Sequence, residues 1–272
     1  MAGRRLARIR HPSNRGRSAA RNSAIDRAQG EILWFLDDDI LADAHSLDAH
    51  LEFLVAEPGS GSAGWIEWEH PKPTDPGSRV QRRSLLRTFR GLRPLQEIPF
   101  CPTGNFAIRR DALGSFRFDE RIRGYGFEDF DLYARLRGQG VRFVFNRKAR
   151  VLHQDLPASL ARMEQRQREA GRNARIMVDG YPEYCATIRI DLRTPRERLF
   201  ATVTNACTLP WLRRLARATR RIRPTLSTTL DAWILGQAFR DGFRSQDLDS
   251  VTATPHHGPV RIAFLIPSLE AA

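Results

Sequence analysis

The chain has 272 residues, of which 41% are hydrophobic and 28% charged. These values fit a globular protein of one large or two small domains and exclude a collagen, a disulfide-stapled scaffold and a wholly disordered chain. The formal charge is +13, and of the 44 basic residues only Lys72 and Lys148 are lysines, a balance that favours polyanionic partners such as nucleic acid, anionic lipid or a phosphorylated small molecule.

No apolar run reaches the ~20 residues of a bilayer span, and the first residues carry no apolar h-region, so a secretory signal is not expected. Cys101, Cys185 and Cys207 are an odd number with no zinc spacing, so a reduced cytosolic compartment is the expectation. Residues 18–30 read as a helix, with Ser18 as N-cap, Ala20, Ala24 and Ala28 on one face, and Gly30 closing the end. Residues 31–36 read as a strand buried on both faces, as in a parallel sheet, and Asp37-Asp38-Asp39 follows at its carboxyl end. A helix is expected over 44–56, a strand over 64–69, a proline-rich loop over 70–78 and a basic helix over 79–90. The turn Pro102-Thr103-Gly104-Asn105 leads to a short strand over 106–109. A helix over 128–139 precedes two strand-like pieces, 141–145 and 149–152. Residues 157–178 form a polar, arginine-rich helix, 196–222 a basic amphipathic one interrupted by Pro210, and 241–259 a linker. The chain closes on an apolar strand-like piece, 261–267.

Three segments carry chemistry. Alternate aspartates at a strand's carboxyl end can hold a hard divalent cation and leave positions open for phosphate oxygens. The bland alternative is a turn in which Asp39 or Asp43 caps the next helix. Gly124-Tyr125-Gly126-Phe127-Glu128-Asp129 lets backbone approach a ligand and opens a helix with two acids. Such acids serve as caps, or as a general base beside a hydroxyl. His153 is a lone histidine that becomes a metal ligand only if the fold brings it beside Asp39. Arg21 carries a planar fork suited to phosphate oxygens, although a solvated surface role is the default in so arginine-rich a chain.

In their order and spacing these segments resemble an inverting family-2 glycosyltransferase of the GT-A fold, an α/β nucleotide-diphospho-sugar transferase architecture. The resemblance rests on Asn14-Arg15-Gly16, Ala19-Ala20-Arg21-Asn22, Ala28-Gln29-Gly30-Glu31 and the strand ending in Asp37-Asp38-Asp39. It continues through Thr103-Gly104-Asn105-Phe106-Ala107-Ile108-Arg109-Arg110, Phe118-Asp119-Glu120, residues 124–132 and Val151-Leu152-His153, and covers about residues 12–155. It implies Asp39 as the principal ligand of Mn2+ or Mg2+, with Asp37 near the metal or the donor ribose, Asp38 as a lesser contributor and His153 completing the metal site. It further implies Asp129 as catalytic base, Glu128 on the acceptor or donor sugar, Gly104 and Asn105 lining the donor-sugar pocket, and Arg21 on the nucleotide side. The implied reaction is displacement at the anomeric carbon of a nucleotide-sugar donor, with inversion, onto a glycan or lipid-linked acceptor. Trp65 or Trp68 could stack on an acceptor sugar, with core packing the stronger expectation.

The expected organisation is a GT-A-like core over 1–155, lacking the family's opening strand and acidic loop, a helical basic extension over 156–240, and a linker with the start of a second glycosyltransferase domain over 241–272. Arg261 to Leu269 resembles the first strand of a family-4, GT-B enzyme. Cell-envelope polysaccharide synthesis in the cytoplasm, at the inner face of the membrane, is the implied setting. Two other functions compete. One is a metal-dependent nucleic-acid enzyme using Asp37, Asp39, Glu128 and Asp129. The other is a non-catalytic module that lays the 199–222 segment on anionic lipid.

Overall fold

The computed structural model describes residues 7–68, 75–89, 91–154, 159–181, 199 and 202–245. In chain order the elements are α1 (Gly16–Arg27), β1 (Ile32–Leu36), β2 (Ile40–Ala42), α2 (Ala44–Ala56), β3 (Ser60–Trp68), α3 (Pro76–Phe89), β4 (Asn105–Arg109), α4 (Arg110–Leu113), α5 (Glu128–Gly138), β5 (Arg142–His153), α6 (Leu160–Gly180), α7 (Leu209–Thr219) and α8 (Pro224–Arg244). The strands form one mixed sheet in the order β1-β4-β3-β5-β2.

Apolar residues fill both sides of this sheet. Leu33, Phe35, Phe106, Ile108, Phe143 and Phe145 point to the larger core, shared with Ile25 of α1 and Leu132, Tyr133 and Leu136 of α5. Ile32, Trp34, Ala107, Val144 and Val151 face α2 through Phe53 and Leu54. Each such side chain, taken fully out of water, contributes roughly 1.5–3 kcal/mol before chain entropy is charged against it. β1 is therefore buried on both faces as its unbroken apolar run demands, but the expected parallel pairing is corrected. It runs antiparallel to β4 and lies at the edge of the sheet of the described residues, and the parallel pair is β3 with β5.

Several boundaries moved for local reasons. α1 starts at Gly16, whose N–H donates to Asn14 Oδ1 at 2.9 Å; Ser18 is buried inside the helix and its hydroxyl donates to Ile122 O. The helix ends at Arg27 rather than Gly30, because Arg110 supplies the missing donors, reaching Ala28 O at 2.6 Å and Gly30 O at 2.9 Å. β3 begins at Ser60, earlier than its small residues suggest. The two strand pieces after α5 are one strand, β5, whose register against β3 shifts between Gly64 and Trp65. Pro210 starts α7 instead of interrupting a longer helix, since its missing N–H is harmless in a first turn. α8 was not foreseen, and it runs to Arg244, into the expected linker. Residues 70–74, Asp155, most of 182–201, and 246–272 with the GT-B-like strand lie outside the described residues.

The helical extension packs by close backbone approach. Gly171 of α6 faces Phe239 O of α8, and Gly242 of α8 faces Arg168 O of α6, so a methyl group at either glycine would overlap the opposing carbonyl. α7 lies on α8 through Ala216 against Leu230 and Ile234. Among the described residues no helix is long and apolar enough to cross a membrane.

Candidate active site

The three segments singled out in the sequence meet at one end of the sheet, and Arg21 joins two of them. Its helix α1 is small-residue rich and lies flush on the sheet, which leaves the Arg21 side chain only 7% exposed. From there Nη1 donates to Glu128 Oε1 at 2.9 Å and Nη2 to Asp37 Oδ1 at 3.2 Å. One guanidinium thus ties the acid-led start of α5 to the triple-aspartate turn. Burial opposes its charge, but Glu128 and then Asp37 outweigh that and hold it, so it is not presented free to a nucleotide, as the expectation for Arg21 had it.

The aspartate turn is compact. Asp37 N–H donates to Gly104 O at 3.4 Å, and Ile40 N–H returns to Asp37 O. Gly104 backs directly on this carboxylate, because a methyl group there would stand 3.1 Å from Asp37 Oδ2. Asp38 is exposed. Asp39 ends the turn, where β2 pairs with β5 in the register Ile40 to His153 and Gln154 N–H donates to Asp39 O at 2.8 Å. That pairing sets His153 Nε2 3.5 Å from Asp39 Oδ1, while the ring lies against Trp68 at 4.8 Å between centroids. Asp43, not Asp39, caps α2, accepting from Ser46 N–H at 2.8 Å.

Burial raises the Asp39 carboxyl above its ordinary range, and the neighbouring Asp37 and Asp38 add to this against the pull of His153. A divalent cation would relieve that repulsion, and the carboxylate-plus-imidazole donor set suits Mn2+ or Mg2+. Among the described residues no three His, Cys, Asp or Glu groups close into a cage by themselves. Phosphate oxygens and water are thus the natural remaining ligands for such an ion.

The second wall is the Gly124–Phe127 loop. Gly124, Gly126 and Phe127 have φ of 76°, 84° and 72°, so the chain turns through left-handed conformations into α5, and Phe127 adopts one at a cost that glycine avoids. α6 holds the loop in place. Asn173 Nδ2 donates to the carbonyls of Arg123 (2.8 Å), Gly126 (2.9 Å) and Tyr125 (3.2 Å), and Glu169 fills the space a side chain at Gly124 would need. The guanidinium carbons of Arg17 and Arg166 lie 4.9 Å and 5.1 Å from the Tyr125 ring centroid. Neither Asn173, Arg17 nor Arg166 was foreseen, because their partners lie far away in sequence. Arg17 sits one helical turn before Arg21 on α1, which was the one available signal.

The adjacent acids at the start of α5 are driven apart. Burial pushes Glu128 up, but Arg21 and then Arg17 at 3.7 Å outweigh it and hold it below the usual range. Asp129 is pushed up to about 7 by burial and then by the Glu128 charge, which outweigh the pull of Arg21. Its Oδ1 accepts from Phe130 N–H at 2.8 Å. Glu128 is 4% exposed and engaged by two arginines, so the expectation that it contacts a sugar gives way to an internal anchor. Asn105 is likewise misplaced by that expectation. Fully buried, it accepts from Trp34 Nε1 and pairs with His50 Nε2, and it donates to Ala149 O, which makes it a core hub beneath Gly104 rather than a pocket wall. Trp65 packs in the core against Phe89 and Phe145. A cavity of about 370 Å³ lies elsewhere, by Arg117, Arg121 and Arg135, whose charges Asp26, Asp119 and Asp131 already answer.

Residues 2–116 match the family model described as Glycosyl transferase family 2. No curated protein matches the chain in sequence. Among solved structures the chain is similar to the mannosyltransferase PcManGT from Pyrobaculum calidifontis in complex with GDP-Man and Mn2+. The identity is 17%, with 86% of this chain and 68% of that one covered and a TM-score of 0.53. Two further likenesses have lower TM-scores. GalNAc-T7 with UDP, GalNAc and Mn2+ shares 16% identity over 65% of this chain and 39% of that one, with a TM-score of 0.43. Glucosyl-3-phosphoglycerate synthase from Mycobacterium tuberculosis, with Mn2+, UDP-Glc and phosphoglyceric acid, shares 17% over 62% and 56%, with a TM-score of 0.38. The chain spans between 39% and 68% of the lengths of these proteins. The likeness is one of fold, and the mixed sheet with its helical C-terminal region is the GT-A architecture.

Proposed function

We propose, for a chain whose residues 2–116 match the glycosyl transferase family 2 model, that it moves a sugar from a nucleoside-diphosphate donor onto a glycan or lipid-linked hydroxyl acceptor, with inversion at the anomeric carbon. The observation that carries this reading is the Arg21 bridge, which sets the Glu128-Asp129 pair beside the Asp37–Asp39 turn. Asp39 and His153, with Asp37, would hold the divalent cation, and Gly104 would leave room for the donor beside Asp37. When bound, the cation supplies positive charge that neutralises the departing diphosphate.

The pair of acids divides the remaining work. Glu128, locked by Arg21 and Arg17, stays ionised and fixes the electrostatics of the pocket floor. Asp129 carries the proton chemistry, because a carboxyl near 7 is matched to a base that is regenerated at neutral pH. It accepts the acceptor's hydroxyl proton as that oxygen bonds to the anomeric carbon. The bond from that carbon to the diphosphate oxygen breaks and its electron pair leaves with the nucleotide. Arg17 and Arg166, on either end of the Tyr125 contact, are the guanidinium groups best placed to meet donor phosphates.

The test is calorimetric and then catalytic. GDP and UDP should bind in the presence of Mn2+ and lose that binding with chelator, and Asp129→Asn should keep the binding while losing transfer or donor hydrolysis. Binding of DNA or RNA, salt-sensitive and indifferent to Mn2+, with no diphosphate binding, would refute the reading in favour of a nucleic-acid enzyme.

A further inference from the structure

The two most exposed large apolar side chains of the described residues, Ile222 and Trp211, lie in the turn after α7 and on α7 itself. Trp211 is 68% exposed and Leu215 47%, one turn apart on α7, and Ile222 in the turn that follows is 81% exposed. The opposite side of α7 is occupied, since Ala216 and Leu212 pack on Leu230, Ile234 and Trp233. The exposed crest is thus surplus to folding.

The charges around it have one sign. Residues 198–230 contain seven arginines and no acidic residue. Two of these arginines are spent internally, Arg213 on Glu164 of α6 at 2.6 Å and Arg220 on Asp231 of α8 at 3.5 Å. Arg214, Arg217, Arg221 and Arg223 are exposed, and Arg214 lies over the Trp211 ring at 5.2 Å. A tryptophan and two aliphatic side chains flanked by unneutralised arginines match a surface that is apolar below and anionic above. A protein partner would need an acidic rim around an apolar pocket. A lipid headgroup layer offers both over any area, and arginine repulsion opposes a second copy of this same face.

We propose that α7 and the turn after it, residues 209–223, seat the protein on an anionic lipid surface, with Trp211, Leu215 and Ile222 entering the headgroup region and Arg214, Arg217, Arg221 and Arg223 on the phosphates. The docking is independent of the transfer chemistry. Its use by that chemistry rests on the transferase reading: Arg213 ties α7 to Glu164 of α6, the same helix whose Arg166 and Asn173 meet the Tyr125 loop, so the lipid-facing helix is linked through α6 to that loop.

Vesicle co-sedimentation of the full chain tests this. Wild type should sediment with vesicles of phosphatidylcholine and phosphatidylglycerol and stay in solution with phosphatidylcholine alone. The apolar triple variant Trp211→Ser, Leu215→Ser, Ile222→Ser and the charge triple variant Arg214→Gln, Arg217→Gln, Arg221→Gln should each weaken binding by about tenfold or more. Both should unfold at the wild-type temperature, because the replaced side chains are exposed. Mn2+-dependent binding of GDP or UDP should be unchanged in both, which separates failure of the docking from failure of the transferase reading. Absence of vesicle binding by wild type, binding indifferent to lipid charge, or undiminished binding by the apolar triple overturns the proposal. So does a wild-type dimer that the apolar triple abolishes, which would make the face a contact between copies.

Discussion

Replacing Arg21 by methionine isolates the interaction on which the site is built. The substitution keeps the length and apolar stem of the side chain and removes its charge. Glu128, 5% exposed at its side chain, then remains as a buried carboxylate. Breaking a buried pair from one side costs about 3–5 kcal/mol, because the orphaned charge keeps its desolvation penalty. Arg17 at 3.7 Å compensates in part, which places the expected loss near the lower bound, about 3 kcal/mol. The Asp37 arm adds little: that side chain is 44% exposed, and such pairs are worth about 0–1 kcal/mol. Asp37→Asn alone should therefore cost less than about 1 kcal/mol of stability. For a protein of this size the Arg21 loss corresponds to a fall in Tm of roughly 6–12 °C. Urea unfolding with an unchanged slope is the assay. The double variant Arg21→Met, Glu128→Gln should be more stable than Arg21→Met alone, since no buried charge is then left over. A loss below about 1 kcal/mol for Arg21→Met, or strictly additive single losses, would refute the assignment of Arg21 as the bridge.

Asp129 should leave a signature in the pH dependence. Its carboxyl moves from 3.8 to about 7 on folding, so the folded state binds the proton more tightly and stability falls as pH rises through that window. Asp129→Asn should flatten that slope, and wild-type transfer should rise as pH passes about 7 and the base ionises; a slope that survives the substitution contradicts the assignment. Asp39→Ala should weaken Mn2+-dependent GDP or UDP binding by about tenfold or more while leaving urea stability within about 1 kcal/mol; unchanged metal dependence in titration calorimetry removes it as a ligand. Asn173→Ala should cost about 2–3 kcal/mol by freeing three loop carbonyls and should speed hydrogen exchange across 123–127. Exchange at the wild-type rate would show that the loop holds itself.

Much of the site was legible because its signals are local. The five apolar residues of β1 fix a buried strand, and the acids that follow must sit at its end. Two glycines before paired acids mark a turn into a helix. What escaped was decided by distant partners. Arg21 and Glu128 are separated by 107 positions, and only the fold reveals that they neutralise each other. Asn105 looked like a pocket residue because it follows a glycine turn, yet His50 and Trp34 claim it for the core. Ser60, Gly61 and Ser62 lack the side chains that announce a strand. They belong to one because Phe106 and Phe143 occupy the space over Gly61. The antiparallel course of β1 is set by β4, more than sixty residues downstream, and no pattern within β1 encodes it.

The glycine contacts between α6 and α8 have a mechanical meaning. With backbone against backbone there is no layer of side chains to rotate or slide, so the two helices respond to a push as one stiff spar. The far end of that spar carries α7, and its flank grips the Gly124–Phe127 turn through Asn173 and Glu169. A force or anchorage applied at α7 is therefore delivered to the wall beside Asp129 with little give, and alanine at Gly171 or Gly242 would pry the spar apart and leave the Gly124–Phe127 turn unsupported while every residue of the cleft remained in the sequence.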